Sequence, residues 1–203
     1  PVERGHIFLD GKEITNLSPK KVREVGLAHI PEDRNTRGLN RTMSIEENLV
    51  AVEVDKAPFS RGMVMNTAAM DRHSEEMVKR FDIRPTDYKL PTSSLSGGNA
   101  QKVVVAREVS MNKKLLVAAQ PTRGVDIGAI ESIQKTLEEA KKNGAGVLLV
   151  STELEEITSL SDRIIVIHEG TITGELSAGE ANENNLGLLM MGGTVDHQVK
   201  EDM

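Results

Sequence analysis

Between residues 115 and 168 the chain repeats one pattern: a short apolar run, a longer stretch of helical periodicity, then another apolar run. Strands are expected at about 115–119, 146–151 and 164–168, with helices at about 126–142 and 152–159 between them. Strands joined through helices run parallel, because a helical crossover returns the chain to the same end of the sheet. The rhythm therefore commits this part to an α/β core built on a parallel sheet.

The rest is organised around that core. "GHIFLDGKEIT" alternates apolar and polar residues and turns at Asp10-Gly11, which predicts an N-terminal antiparallel edge hairpin. A short helix is expected from Ser18. "VGLAHIPEDR" then gives a strand that Pro31 ends, since proline supplies no donor and disfavours helix before it. Ser44-Ile45-Glu46-Glu47 has capping-box spacing and predicts a helix to about Val54, and Asn66 or Thr67 opens another to about Phe81. No strand-like run is visible from about 36 to 95, so a helical subdomain inserted into the core is expected there. A last hairpin should turn at Glu169-Gly170. The expected organisation is residues 1–35 as the start of the core, 36–95 as the helical subdomain, 96–191 as the rest of the core and 192–203 as a polar tail.

"LSGGNAQKVVVAREVS" carries the strongest chemical signal. Ser96-Gly97-Gly98 stands directly before a helical pattern, where backbone N–H groups are free and the helix dipole favours an anion. The glycines admit a phosphate close to the backbone, and the Ser96 hydroxyl adds a donor. In isolation the stretch also reads as a glycine-rich loop feeding a helix. "LLVAAQPTRGVD" poses the opposite problem. A nucleotide-hydrolysing protein places two carboxylates at such a strand end, one for magnesium and one for the attacking water. This chain has Ala119 and Gln120.

With these motifs in this order, the chain resembles the ATP-binding cassette (ABC) family over nearly its whole length. "LSGGN", Ser96 to Asn99 with its leading leucine, looks like the signature motif; "LLVAAQ" looks like the Walker B strand, "PTRGVD" the D-loop and "VSTELEE" the switch strand. "AHIPEDR" stands at the Q-loop. "PEDR…GL" with "LSGGNxQK" is similar to the second cassette of tandem ATPase subunits of sugar and nucleoside importers, and "AAQPTRGVDIGAIE" with "LGLLMMGG" tilts toward the nucleoside, basic membrane lipoprotein-linked branch.

The resemblance makes the departures informative. Ala119 replaces the magnesium-ordering aspartate, and a methyl group coordinates nothing. Gln120 replaces the general base; an amide cannot take the proton, and such catalysis is worth roughly 100- to 10,000-fold. Thr152 takes the place of the switch histidine and Glu32 that of the Q-loop glutamine. Plainer readings exist: Ala119 packs in the sheet, and Thr152 caps a helix with Glu155. The cluster of four favours a degenerate site. No G-x-x-x-x-G-K-[ST] phosphate loop occurs. The chain begins at Pro1 with no leader, so it is expected to be cut from a longer polypeptide just after that loop, lacking its strand and helix. Uncovered strand faces should then drive association.

The family pairs two cassettes head to tail. The resemblance implies that Ser96, Gly97, Gly98 and Asn99 serve the ATP of a first cassette in the same polypeptide, that Asp126 lies at the inter-cassette interface, and that no catalytic residue is intact here. ATP and magnesium are implied for the parent, with no tight binding to this piece and no metal site in it. Implied partners are integral membrane permease subunits and, indirectly, a solute-binding protein, at the cytoplasmic face of a bacterial plasma membrane. The 36–95 subdomain and the loop at Glu32 would transmit closure.

Composition narrows the rivals. At 203 residues and 38% apolar content the chain can bury a core, while the absence of cysteine excludes disulfides and thiolate metal sites. No apolar run approaches the roughly 18 residues of a membrane span. A net charge of -6, with three Phe and one Tyr, argues against a nucleic-acid surface. That weighs against a soluble ABC ATPase acting on nucleic acid or ribosomes; a non-hydrolytic regulatory module is the other alternative. His6, His29, His73, His168 and His197 lack ligand spacing. Met63, Met65, Met70 and Met77 read as core or partner surface, and Arg34, Arg37 and Arg41 as solvated, structural or anion-pairing.

Overall fold

The computed structural model describes residues 2–111 and 113–194, which form two compact units divided after Val150. His197 and most of the expected 192–203 tail lie outside the described residues.

The first unit opens with β1 (Phe8–Leu9) and β2 (Lys12–Glu13), an antiparallel pair turned at Asp10 (φ 52°) and Gly11 (φ 73°). Two consecutive left-handed residues match the strand twist. Ser18 and a proline at the first helical position start α1 (Pro19–Val25), and Gly26 at φ 123° ends it. β3 (Leu27–Ile30) stops at Pro31. A single π-type turn, Arg34–Gly38, follows, entered through Asp33, whose carboxylate accepts from the amides of Asn35 and Thr36. α2 (Ile45–Val50) has the expected capping box: Ser44 Oγ accepts from Glu47 N at 3.1 Å, and Glu47 Oε2 accepts from Ser44 N at 2.7 Å.

One expectation fails in the helical subdomain. Residues 36–95 contain a strand pair, β4 (Ser60–Arg61) and β5 (Val64–Met65), antiparallel across Gly62 at φ 65°. Its strands are too short to show alternation, and its side chains at Met63, Val64 and Met65 are exposed, so no burial pattern marks it in sequence. α3 (Thr67–Arg80), capped by Asn66, follows. Val50, Phe59, Ala69 and Met70 form a small core of their own.

α4 (Gly97–Val109), β6 (Leu115–Ala119), α5 (Ile127–Lys142) and β7 (Gly146–Val150) complete the unit. The sheet order is β3-β6-β7, all parallel, with Ile30 opposite Ala118 and Ala118 opposite Leu149. Ala28, Ile30, Leu116 and Ala118 are buried on one face, where α4 packs on β3 and α5 on β7. The other face stays open: Leu148 and Val150 are 53% and 50% exposed.

The second unit holds α6 (Leu154–Leu160), β8 (Arg163–His168), β9 (Thr171–Ser177) and α7 (Glu183–Met190). β8 and β9 form the expected hairpin, turned by Glu169 (φ 47°) and Gly170 (φ 77°). Ile164, Val166, Leu176, Leu186 and Leu189 are its core, with Leu154 and Ile157 against them. Gly174 is required by close approach: a Cβ there would lie 2.7 Å from Leu189 Cδ2.

The open apolar face predicts that this chain self-associates in light scattering, and that Leu148→Lys with Val150→Lys shifts it toward monomer. A monodisperse wild-type monomer contradicts this.

Candidate functional site

The N-termini of α4 and α5 meet. Ser96 caps α4, its Oγ accepting from Asn99 N at 3.3 Å and from Asn99 Nδ2 at 3.0 Å. Asn99 Oδ1 in turn accepts from Arg84 N at 2.7 Å, which ties the cap to the end of the helical subdomain. Asp126 caps α5 by accepting from Ala129 N at 3.0 Å. Its other oxygen faces α4, and a Cβ on Gly98 would sit 2.5 Å from it. A Cβ on Gly97 would lie 2.8 Å from Arg34 Nη2 and 3.2 Å from the Gly124 carbonyl oxygen. The glycine pair therefore makes room first for the chain's own Arg34 and Asp126. Two positive helix ends, a guanidinium and a carboxylate thus surround Gly97 and Gly98.

The turn between β6 and α5 is held from three sides. Gln101, buried on α4, donates to the Pro121 carbonyl at 2.7 Å. Arg34 donates to the carbonyls of Arg123 (2.8 Å) and Gly124 (3.0 Å). Glu32 pairs with Arg123, so its carboxylate is committed to that guanidinium. Arg34 and Gln101 belong to this site although local sequence leaves Arg34 ambiguous and gives no reason to single out Gln101. The signal for both is tertiary: their partners lie far along the chain.

At the end of β6, Ala119 is half-buried beside Val150, its partner in register. Gln120 is left-handed at φ 48°, and its amide donates to the Val150 carbonyl at 2.7 Å. A left-handed non-glycine residue is uncommon and stores backbone strain, here at the turn that leaves β6. Neither side chain offers a carboxylate for magnesium, and among the described residues no group of three or more His, Cys, Asp or Glu could hold a metal. Magnesium therefore does not fit this chain's own strand end. Thr152 belongs to the second unit, where Glu153, not Thr152, is the N-cap of α6.

The described histidines are dispersed. His6 bonds Glu13 at 2.8 Å; burial pushes His29 and His73 below the usual histidine range, and His73 packs edge-on against Phe59.

Residues 1–123 match the sequence model of the ABC transporter family. The chain belongs to that family. It is 43% identical over 195 residues, 96% of its length, to the nucleoside import ATP-binding protein NupA of Lactococcus lactis subsp. cremoris, and 45% identical over 192 residues, 95% of its length, to the guanosine import ATP-binding protein NupO of Bacillus subtilis. A glucose import ATP-binding protein of Haloferax volcanii is 40% identical over 95% of the chain. The chain spans 38% of NupA, 38% of NupO and 35% of the Haloferax protein. Among solved structures, a dimeric post-hydrolysis state of the ATP-binding cassette MJ0796 bound to ADP and Pi superposes with a TM-score of 0.73, covering 87% of this chain and 74% of that one at 21% identity. That likeness establishes the cassette fold.

The start of α4 and the 121–126 turn are packed together through Asp126 and Arg34. Gly98→Ala should destabilise the chain by about 1–3 kcal/mol in denaturant unfolding through overpacking. The cost should shrink in an Asp126→Ala background, which itself loses about 1 kcal/mol of capping. An equal cost in both backgrounds would show that the Asp126 contact is not what excludes the methyl.

Proposed function

We propose that this chain is the signature-bearing part of the second cassette in the ATPase subunit of an importer for nucleosides or simple sugars. It lends Ser96, Gly97, Gly98 and Asn99 to the ATP held by the first cassette of the same polypeptide, while its own strand end is degenerate. The carrying observation is the contrast between two ends of the first unit: a capped, glycine-opened helix start at Ser96, and a strand terminus with Ala119 and Gln120 where carboxylates would be needed.

The names of the relatives support the substrate class, and their length, of which this chain spans 38%, supports a parent with room for another cassette. No helix among the described residues is long and apolar enough to cross a membrane, which fits a peripheral subunit working through permease partners at the cytoplasmic face. A solute-binding protein would take part indirectly. Within this reading the 36–95 subdomain with the loop at Glu32 meets the membrane subunits, and the 96–191 part carries the surface that meets the other cassette.

In the composite site, ATP supplies the phosphoryl group that is transferred to water. The N-terminus of α4 would hold its terminal phosphate through backbone amides and the Ser96 hydroxyl, whose oxygen is already oriented by Asn99. Asp126, capping α5 beside Gly98, would fix the angle at which that end meets the other cassette. Gln120 can orient a water but cannot accept its proton. Thr152 is carried as a degenerate position by its resemblance alone. The isolated chain should hold triphosphate poorly and hydrolyse none.

ATP turnover by the full polypeptide with its membrane subunits tests this. Ser96→Arg should abolish turnover by filling the phosphate end, and Gln120→Ala should leave it nearly unchanged. A damaging Gln120→Ala beside a tolerated Ser96→Arg would reverse the assignment of the two sites.

A further inference from the structure

We propose that Arg34 is a positioning residue that clamps the 121–124 turn to the first turn of α4, so that the 31–38 loop, the Ser96–Gly98 helix end and the Asp126 turn move as one body.

The guanidinium spans two successive carbonyls, Nη1 to Arg123 O at 2.8 Å and Nη2 to Gly124 O at 3.0 Å. A planar fork makes two directed bonds where an ammonium offers a point charge on a flexible stem. Arg34 itself is half-buried: its Nε is enclosed without a hydrogen-bond partner, while the two bonds to the carbonyls lie toward solvent. Two glycines accommodate it. A Cβ on Gly97 would come within 2.8 Å of Nη2, and a Cβ on Gly124, already left-handed at φ 64°, would stand 3.7 Å from it.

The near end of the clamp is also anchored. Arg34 opens the π-type turn, which Leu39 N closes by donating to Arg34 O at 2.8 Å, and Asp33 caps. At the end of that turn, the Gly38 carbonyl accepts from Arg107 Nη1 on α4 at 2.8 Å. The 34–38 segment is thereby fixed to the body of α4, and Arg34 reaches from it to the D-loop. Glu32–Arg123 is a second strut between the same segments, but both side chains are more than half exposed, where ion pairs contribute about 0–1 kcal/mol or less. Arg34, not Glu32, is the mechanical link.

On the importer reading, on which this consequence rests, the loop nearest the membrane subunits is tied to the face that meets the other cassette. Closing one site then moves the other, which is what coupling between two sites requires.

The test uses the full-length polypeptide as wild type, Arg34→Lys and Arg34→Met, with amide hydrogen exchange as the first readout. Arg34→Met should accelerate exchange across residues 122–126 roughly tenfold, as expected for losing charge-assisted hydrogen bonds. Exchange at residues 163–177 should stay at the wild-type rate. Arg34→Lys should fail to restore the 122–126 protection in full, because one ammonium does not reproduce the fork. Unchanged exchange at 122–126, or an equal acceleration at 163–177, overturns the clamp. With membrane subunits present, Arg34→Met should lower solute moved per ATP hydrolysed; an unchanged ratio overturns the coupling role. If the wild-type assembly moves no solute at all, the importer reading fails, and the exchange result still decides the clamp.

Discussion

Glu108, wholly buried near the end of α4, accepts hydrogen bonds from four nitrogens: Arg23 Nη1 (2.7 Å) and Nη2 (3.2 Å), His29 N (3.1 Å) and Arg107 Nε (3.0 Å). One carboxylate thus joins α1, β3 and α4. A charge buried so deeply costs several kcal/mol in lost hydration, and only a complete set of partners offsets it; removing one member of such a pair costs about 3–5 kcal/mol. Because Arg107 also donates to Gly38 O, the same network fixes where the 34–38 turn sits. The far end of α4 is the Ser96 cap with Gly97 and Gly98. Its orientation relative to the sheet and the loop is therefore set near the other end of α4 (Gly97–Val109), at Glu108, by a buried ion cluster and not by the glycines themselves.

What the sequence revealed was local. Asp10-Gly11 and Glu169-Gly170 each turn a hairpin through two left-handed residues, and Ser44 with Glu47, Ser96 and Asp126 each cap a helix, because those interactions span only a few residues. The parallel sheet followed from its apolar runs, and the glycine-led start of α4 and the strand end at Ala119 stand where the sequence pattern puts them. What stayed hidden depends on distant partners. Nothing near Gly97 announces Arg34, and nothing near Pro121 announces Gln101. The β4–β5 hairpin escaped notice because exposed two-residue strands carry no burial pattern, and the π-type turn at Arg34–Gly38 has no sequence signature of its own.

The two chemical ends of the first unit are built differently. The Ser96 end is braced by Asn99, Asp126, Arg34 and Gln101, a set of oriented dipoles and charges held by the chain's own hydrogen bonds. The strand end keeps its register with β7 and even its strained backbone at Gln120, yet the side chains there have no acid or base to offer. On the proposed reading, the domain's part in the chemistry is to present the Ser96 end to a partner cassette.

The central claim is that the Ser96 end faces a phosphate loop contributed by another cassette. The chain contains no cysteine, so Ser96→Cys introduces a single thiol into it. Paired with a cysteine in the phosphate loop of the other half of the parent polypeptide, and with an added mild oxidant to take up the two electrons, it should form a disulfide that ATP promotes and ATP removal suppresses. A cross-link that forms equally without nucleotide, or none under ATP, would contradict the account.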